Sequence, residues 1–283
     1  MSASHVSNIS INLSLDPAPL ARAGFGNVLL LVALASNSLD GDPVRTYSRV
    51  EDAEADQTAG FVSASTLKAV QTALSQRPKP DKFKVASVDL VGGTTYPQAL
   101  TAVQTIDDDF YGVAIDARTD AEIVAMSQAV EAKSKLFACQ SDEADLLTAG
   151  LPAALSDLGT RERTLICYHS ADAEWMDVGL LANRLVYSPD TKSAPWDAPL
   201  KGVAAYSGSI TTGQRDAAQA NHVNLGLPYG GEPFFVDAGV NAVGRAVHEI
   251  VTADWFETRL RERVAVEKVR HSARGDKIQV SRV

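Results

Sequence analysis

The chain lacks most of the marks by which a sequence announces its chemistry. Only two cysteines occur in 283 residues, Cys139 and Cys167. Both sit inside apolar strand patterns, where reduced cysteine behaves as a small hydrophobe, so neither a disulfide framework nor a thiolate metal site is expected. The longest apolar run, Val28 to Ala35, has about eight residues, against the roughly 20 needed to span a bilayer. Alternating polar sequence precedes it and no basic N-terminal region is present, so a secretory leader is not expected either. Positive charge is scarce: 26 Lys and Arg against 35 Asp and Glu leave −9. That excess excludes broad nucleic-acid binding, which needs cations to replace phosphate counterions.

Nucleotide and hydrolase signatures are missing as well. Gly24-Phe25-Gly26 precedes its strand and has no third glycine, so it is not a dinucleotide fingerprint. Gly92-Gly93-Thr94-Thr95 follows a strand and precedes a helix, but no lysine follows, and a plain turn is the better reading. No G-x-S-x-G elbow occurs. The five histidines, His5, His169, His222, His248 and His271, have no metal-ligand spacing. Cys167 and His169 share a strand face without an orienting third group, so the pair reads as core.

What is present is an α/β rhythm, expected to form a mixed, largely parallel sheet with flanking helices. Its centre is one βαβ unit: strand Tyr111 to Ile115, helix Thr119 to Ala132, strand Leu136 to Cys139. Ile123, Met126 and Val130 lie on one helix face, with Asp120, Glu122 and Glu131 left in water. Around it the pattern predicts strands at 27–35, 83–91 and 164–168, and helices at 64–76, 142–149, 152–158 and 173–186. Thr95 with Gln98 forms a capping box, and Asp107-Asp108-Asp109 reads as a solvated loop. The prolines between Ser188 and Leu200 suggest a boundary. The expected organisation is an N-terminal arm (1–22), an α/β body (23–187) and a C-terminal α+β portion (188–283). In that last portion we expect a helix near 214–220, strands near 222–227, 233–236 and 246–251, and a closing helix from Asp254 to about His271 capped by Asp254 and Glu257.

Three features bear on function. Strand ends at Asp116, Gln140 and His169 open into similar acidic phrases that include Asp120, Glu122, Asp142, Glu143, Asp172 and Glu174. Open α/β sheets bind ligands at such ends. Helix capping is the better reading, and a metal-assisted hydrolase using Asp116, Asp142 and Asp172 with Mg²⁺ or Mn²⁺ is the alternative. Val6, Ile9, Ile11, Leu13 and Leu15 alternate with polar residues as a strand that must pair with its own sheet or with another chain. From Arg259 onward, eight basic residues against three acidic ones put about +5 on a body of about −14. There Phe256, Leu260 and Val264 form an apolar stripe beside a basic stripe of Arg259, Arg263 and Arg270, on a helix expected to dock on its own domain while presenting arginines to an acidic partner.

Several phrases, in this order and spacing, resemble the contractile tail sheath proteins of bacteriophages. They are Arg45-Thr46-Tyr47 with an acidic helix after it, Gln76-Arg77-Pro78-Lys79-Pro80, Asp109-Phe110-Tyr111-Gly112-Val113, Lys135-Leu136-Phe137, Trp196 to Gly202, and Ala253-Asp254-Trp255-Phe256. The resemblance implies a non-enzymatic virion subunit, made in the host cytoplasm, that stacks around a tail tube and contracts on a baseplate signal to drive the tube through the host envelope. Its partners would be other copies of itself, the tube protein and the baseplate, with no cofactor, no nucleic acid and no membrane in the resting state. It implies that Val6 to Leu15 is an arm adding a strand to a neighbour, and that the basic helix with Arg259, Arg263 and Arg270 faces the tube. Family members commonly continue past the position of Val283 with a segment that completes an interlocking sheet. Another tail component, such as a terminator or baseplate piece, is the further alternative.

Overall fold

The computed structural model describes residues 24–34, 39–189, 198–206, 208–236 and 239–274. The expected arm, Val6 to Leu15, lies outside them. The strongest apolar run becomes β1 (Val28–Ala33), flanked on one side by β3 (Phe83–Val88) and on the other by β4 (Gly112–Ile115), both parallel to it. Its side chains alternate between faces: Val28, Leu30 and Val32 enter one core, Leu29 and Leu31 the other. A strand covered on both faces has no position for a polar residue, which is why this run is unbroken.

β5 (Leu136–Ser141), β6 (Thr164–Tyr168) and β8 (Val223–Asn224) extend the sheet in parallel beyond β4. β2 (Val44–Tyr47) closes the other edge antiparallel to β3, giving seven strands in the order β2-β3-β1-β4-β5-β6-β8. β8 joins from beyond residue 188. A second, three-stranded sheet contains β7 (Ala198–Pro199), β9 (Gly226–Tyr229) and β10 (Glu232–Val236).

Helices cover both faces. α3 (Tyr96–Ile106) and α4 (Asp120–Glu131) lie on one, where Leu100, Ile123, Met126 and Val130 are fully buried. α1 (Val50–Thr58), α2 (Ala64–Ser75) and α5 (Met176–Arg184) contribute to the other. All nine residues of α5 are buried. Two glycines sit against close side chains: a Cβ on Gly112 would stand 2.6 Å from Leu185 Cδ1, and one on Gly179 would stand 3.3 Å from both Thr72 and Gln76. Gly24 is likewise a packing glycine, because its Cβ would lie 2.6 Å from the Asp109 backbone. The Thr95–Gln98 capping box forms as expected, with Thr95 N–H donating to Gln98 Oε1 at 2.9 Å. Cys139 and Cys167 are free and buried, and burial pushes both thiols up from their ordinary range.

Several expected elements are corrected. The helices at 142–149 and 152–158 are 3-10 turns, Ala144–Leu147 and Ala153–Thr160. Helix 173–186 contracts to α5, because residues 169–175 are held to the sheet by side chains that compete with helix formation. The strand expected at 246–251 is the first turn of α7 (Val247–Arg274). A β-branched run reads as strand by propensity, but here Val247, Ile250 and Val251 recur at helical spacing and are buried. α6 (Thr212–Ala220) carries a second capping box, Thr211 with Gln214.

Candidate functional site

The carboxyl ends of the parallel strands are the first place to look. The sheet's connection order reverses around β1, and the crevice there is filled by the chain's own groups. Asp116 Oδ2 accepts from Ala33 N at 2.9 Å and Oδ1 accepts from the Tyr96 hydroxyl at 2.5 Å. Burial raises the Asp116 carboxyl despite these hydrogen bonds, and burial together with the neighbouring carboxylate raises Tyr96.

The next two strand ends work in the same way. Gln140, fully buried, donates to Glu174 O at 2.9 Å and accepts from Met176 N at 2.8 Å. His169 Nδ1 accepts from Ala171 N at 3.1 Å, which leaves Nε2 to donate to Ala204 O at 3.0 Å. The polar residue that ends each buried strand is therefore a backbone clamp rather than a reactive group. Arg118 reinforces the layer, donating to the buried Asp177 at 2.7 Å with its guanidinium 4.7 Å from the Trp175 ring centroid. Glu174 ties Lys68 at 2.5 Å and Ala204 N at 3.0 Å. Sequence reasoning assigned Arg118 and Asp177 no role, and the signal for Gln140 was the recurring placement of one polar residue directly after each apolar run.

The carboxylates proposed for metal chemistry are not brought together. Asp142 and Asp172 are exposed loop residues, and among the described residues no three His, Cys, Asp or Glu side chains are grouped to hold an ion. The preferred capping reading is corrected for these two as well, since neither carboxylate accepts from a helix N–H. Asp142 precedes a four-residue 3-10 turn, and α5 begins four residues after Asp172. At α4 Asp120 and Glu122 lie in the first turn, where they favour the helix dipole, but no side chain caps its N-terminus.

The opposite ends of the strands are the more informative. Asp107-Asp108-Asp109, expected to be a solvated loop, is a clamp. Lys84 Nζ, on a side chain only 3% exposed, reaches both Asp107 oxygens at 2.7 and 2.6 Å. Lys135 pairs with Asp108 Oδ1 at 2.9 Å, and Asn27 donates to Asp109 Oδ2 at 3.1 Å. Burial lowers the Lys135 ammonium. At this end too, Asp254 of α7 accepts from Tyr111 OH at 2.6 Å and from both Arg163 nitrogens at 2.5 and 2.8 Å. Tyr111 and Arg163 immediately precede β4 and β6, so α7 is pinned to the amino-end edge of the sheet. Asp254 is thus an anchor two turns into the helix, not its cap.

Past that anchor, from Trp255 to Lys268, no residue of α7 is buried. Of the stripe expected to dock on its own domain, Phe256 is exposed and Leu260 and Val264 are half-buried, while the buried residues of the helix are Val247, Ile250, Val251 and Asp254. At about 100° per residue the stripe centres roughly 130° around the axis from Val247, Ile250, Val251 and Asp254, which do the docking. Phe256 is 54% exposed. Of the arginines, Arg259 donates to Glu262 at 2.6 Å with its guanidinium 5.7 Å from the Trp255 ring centroid, Arg261 pairs with Glu257 at 2.5 Å, and Arg263 is exposed. The side chain of Arg270 lies outside the described residues. A cavity of about 250 Å³ at the β8 edge is lined by Arg215, Gln219, His222, Val223, Leu225, Val240 and Gly244.

No protein-family model matches the sequence, and no curated protein does. Among solved structures the chain is similar to one in the cryo-EM structure of the anti-feeding prophage baseplate, with a TM-score of 0.58 at 12% identity over 94% of this chain and 77% of that one. At that identity the likeness is one of fold, extending over nearly the whole length.

Proposed function

We propose that this protein is a structural subunit of a contractile, phage-tail-like apparatus, and specifically that it is a sheath subunit that assembles around a tail tube. The observation that supports the reading is α7. A parallel α/β body whose strand-end crevice is filled by its own side chains holds out a helix, half of which belongs to no core. Such a helix serves contact with another molecule better than chemistry on a small one. The likeness of fold to a chain of a baseplate assembly agrees with it. In this reading Val6, Ile9, Ile11, Leu13 and Leu15 pair with a neighbouring copy, and Arg259, Arg263 and Arg270 form the side of α7 turned to the tube.

The same likeness favours one second reading, a baseplate component built on the same body. Negative-stain microscopy of concentrated full-length protein separates them: a sheath subunit gives hollow cylinders or stacked rings, a baseplate piece gives closed small assemblies or none. Deleting residues 1 to 15 is expected to abolish cylinders while the melting temperature of the body stays unchanged. Cylinders that persist in the deletion would remove the arm from the account.

A further inference from the structure

The cavity beside β8 belongs neither to the strand-end crevice nor to α7, and its lining combines three kinds of group. Val223 and Leu225 give it a wall that is part of the buried core, with Val240 beside them. Arg215 and Gln219, four residues apart and so on one face of α6, bring a guanidinium and an amide to the same space. His222 supplies an imidazole. At about 250 Å³ the cavity falls below the roughly 300–1,000 Å³ of sites that enclose a drug-sized ligand, which limits an occupant to about the size of one amino-acid residue.

His222 is held there against its backbone preference. It follows Asn221, the C-cap of α6, with a φ of +57°. That is the left-handed position after a helix where glycine is the usual residue, because a side chain there crowds its own backbone. The ring is fixed from two sides. Nδ1 lies 3.2 Å from Ala242 O, and Gly244, with a φ of +80°, leaves open the space in which a Cβ would stand 2.5 Å from Nε2. A carbonyl oxygen only accepts, so Nδ1 carries the hydrogen and the neutral ring keeps Nε2 as an acceptor. A residue kept in a conformation that disfavours any side chain, with its ring lining a cavity, is the kind of outlier that marks a binding position.

We propose that this cavity receives the C-terminal residue of a peptide, one with a small aliphatic side chain. Its carboxylate meets the Arg215 guanidinium and the Gln219 amide, its backbone N–H donates to His222 Nε2, and its side chain covers Val223, Leu225 and Val240. Simpler ligands use only part of the lining. A plain carboxylate brings no donor to the imidazole acceptor, and an apolar molecule desolvates the polar groups without pairing them. The site goes beyond the assembly reading and does not rest on it, so the sheath and baseplate readings both stand if the site fails.

The test is calorimetric titration of the full chain with N-acetyl-L-valine. Saturable binding with a millimolar dissociation constant is expected, weakened at least about tenfold for N-acetyl-L-valinamide, which lacks the anion, and for isovalerate, which lacks the N–H. A short peptide ending in valine should bind at least as tightly as N-acetyl-L-valine. Arg215→Gln, at an exposed helix position, should weaken binding to a similar extent at an unchanged melting temperature. His222→Gly should also weaken it, and the chain should stay folded because glycine suits the left-handed position. No heat of binding up to roughly 50 mM, equal affinity for acid and amide, or parental affinity in both Arg215→Gln and His222→Gly would each overturn the site. Binding of N-acetyl-L-valine but not of the peptide would overturn the chain-end assignment.

Discussion

The two ends of the large sheet are both acidic in sequence, yet they leave different shares of their carboxylates without a partner. At the amino ends, Asp107, Asp108, Asp109 and Asp254 each meet a cation or a buried donor: Lys84, Lys135, Asn27, and Tyr111 with Arg163. Charge there is neutralised inside the molecule and fastens loops and α7 to the strands. At the carboxyl ends Asp116, Glu174 and Asp177 are likewise held by Tyr96, Lys68 and Arg118, but Asp142, Glu143, Asp145 and Asp172 stay exposed without an ion pair among the described residues. A run of aspartates therefore does not by itself signal a solvated loop. What decides is whether a lysine or arginine from a neighbouring strand reaches it, and strands β3 and β5 happen to start with one at the amino end.

The contrast can be broken by removing one carboxylate from each end. Asp254→Ala leaves Arg163 and the Tyr111 hydroxyl without their shared partner in a largely buried setting, and the expected loss is about 3–5 kcal/mol in urea denaturation. Asp172→Ala should stay within about 0.5 kcal/mol of the parent; equal losses would mean the two ends do not differ. A smaller effect is expected at Asp116, which satisfies donors at a carboxyl end. Asp116→Ala removes the acceptor of the part-buried Tyr96 hydroxyl bond and frees the exposed Ala33 N–H to water, at a cost of about 0.5–1.5 kcal/mol, read as a shift in the denaturation midpoint without a change in slope.

The smallest effect is the dependence on pH. Burial works to raise the Asp107 carboxyl, but the Lys84 hydrogen bonds and the Asp109 N–H outweigh it and the net position is below the ordinary carboxylate value. A depressed folded-state value means that the unfolded chain binds the proton first. The stabilisation is complete above the unfolded value near about 4 and is lost as pH falls through the lower folded one. Asp107→Asn should therefore flatten the acid limb of the stability curve below about pH 4. An acid limb as steep as that of the parent would show that Lys84 does not hold Asp107 in solution.

Much of the architecture was legible before any coordinates. The apolar run at β1, the i, i+3, i+7 face of α4 and the Thr95–Gln98 box each depend on residues within a few positions of one another, and each formed where periodicity placed it. The errors came where distant residues intervene. Residues 142–149 and 173–175 have helical composition, but Asn221 takes up the carbonyls of Leu146 and Thr148, and Gln140 takes up the Glu174 carbonyl and the Met176 N–H. Val247 to Val251 has strand composition, yet the core it meets accepts a helix face.

The candidate site shows the same division. An amphipathic, basic closing helix could be read from the chain alone, because a helix's own period sorts its side chains into faces. Which of those faces the body would claim could not. Val247, Ile250, Val251 and Asp254 won the docking because Tyr111 and Arg163, 143 and 91 residues away, converge on Asp254 only when β4 and β6 lie two strands apart in one sheet. Local pattern determined that α7 has an apolar stripe, and long-range strand order decided that Val247, Ile250, Val251 and Asp254, rather than that stripe, would form its buried face.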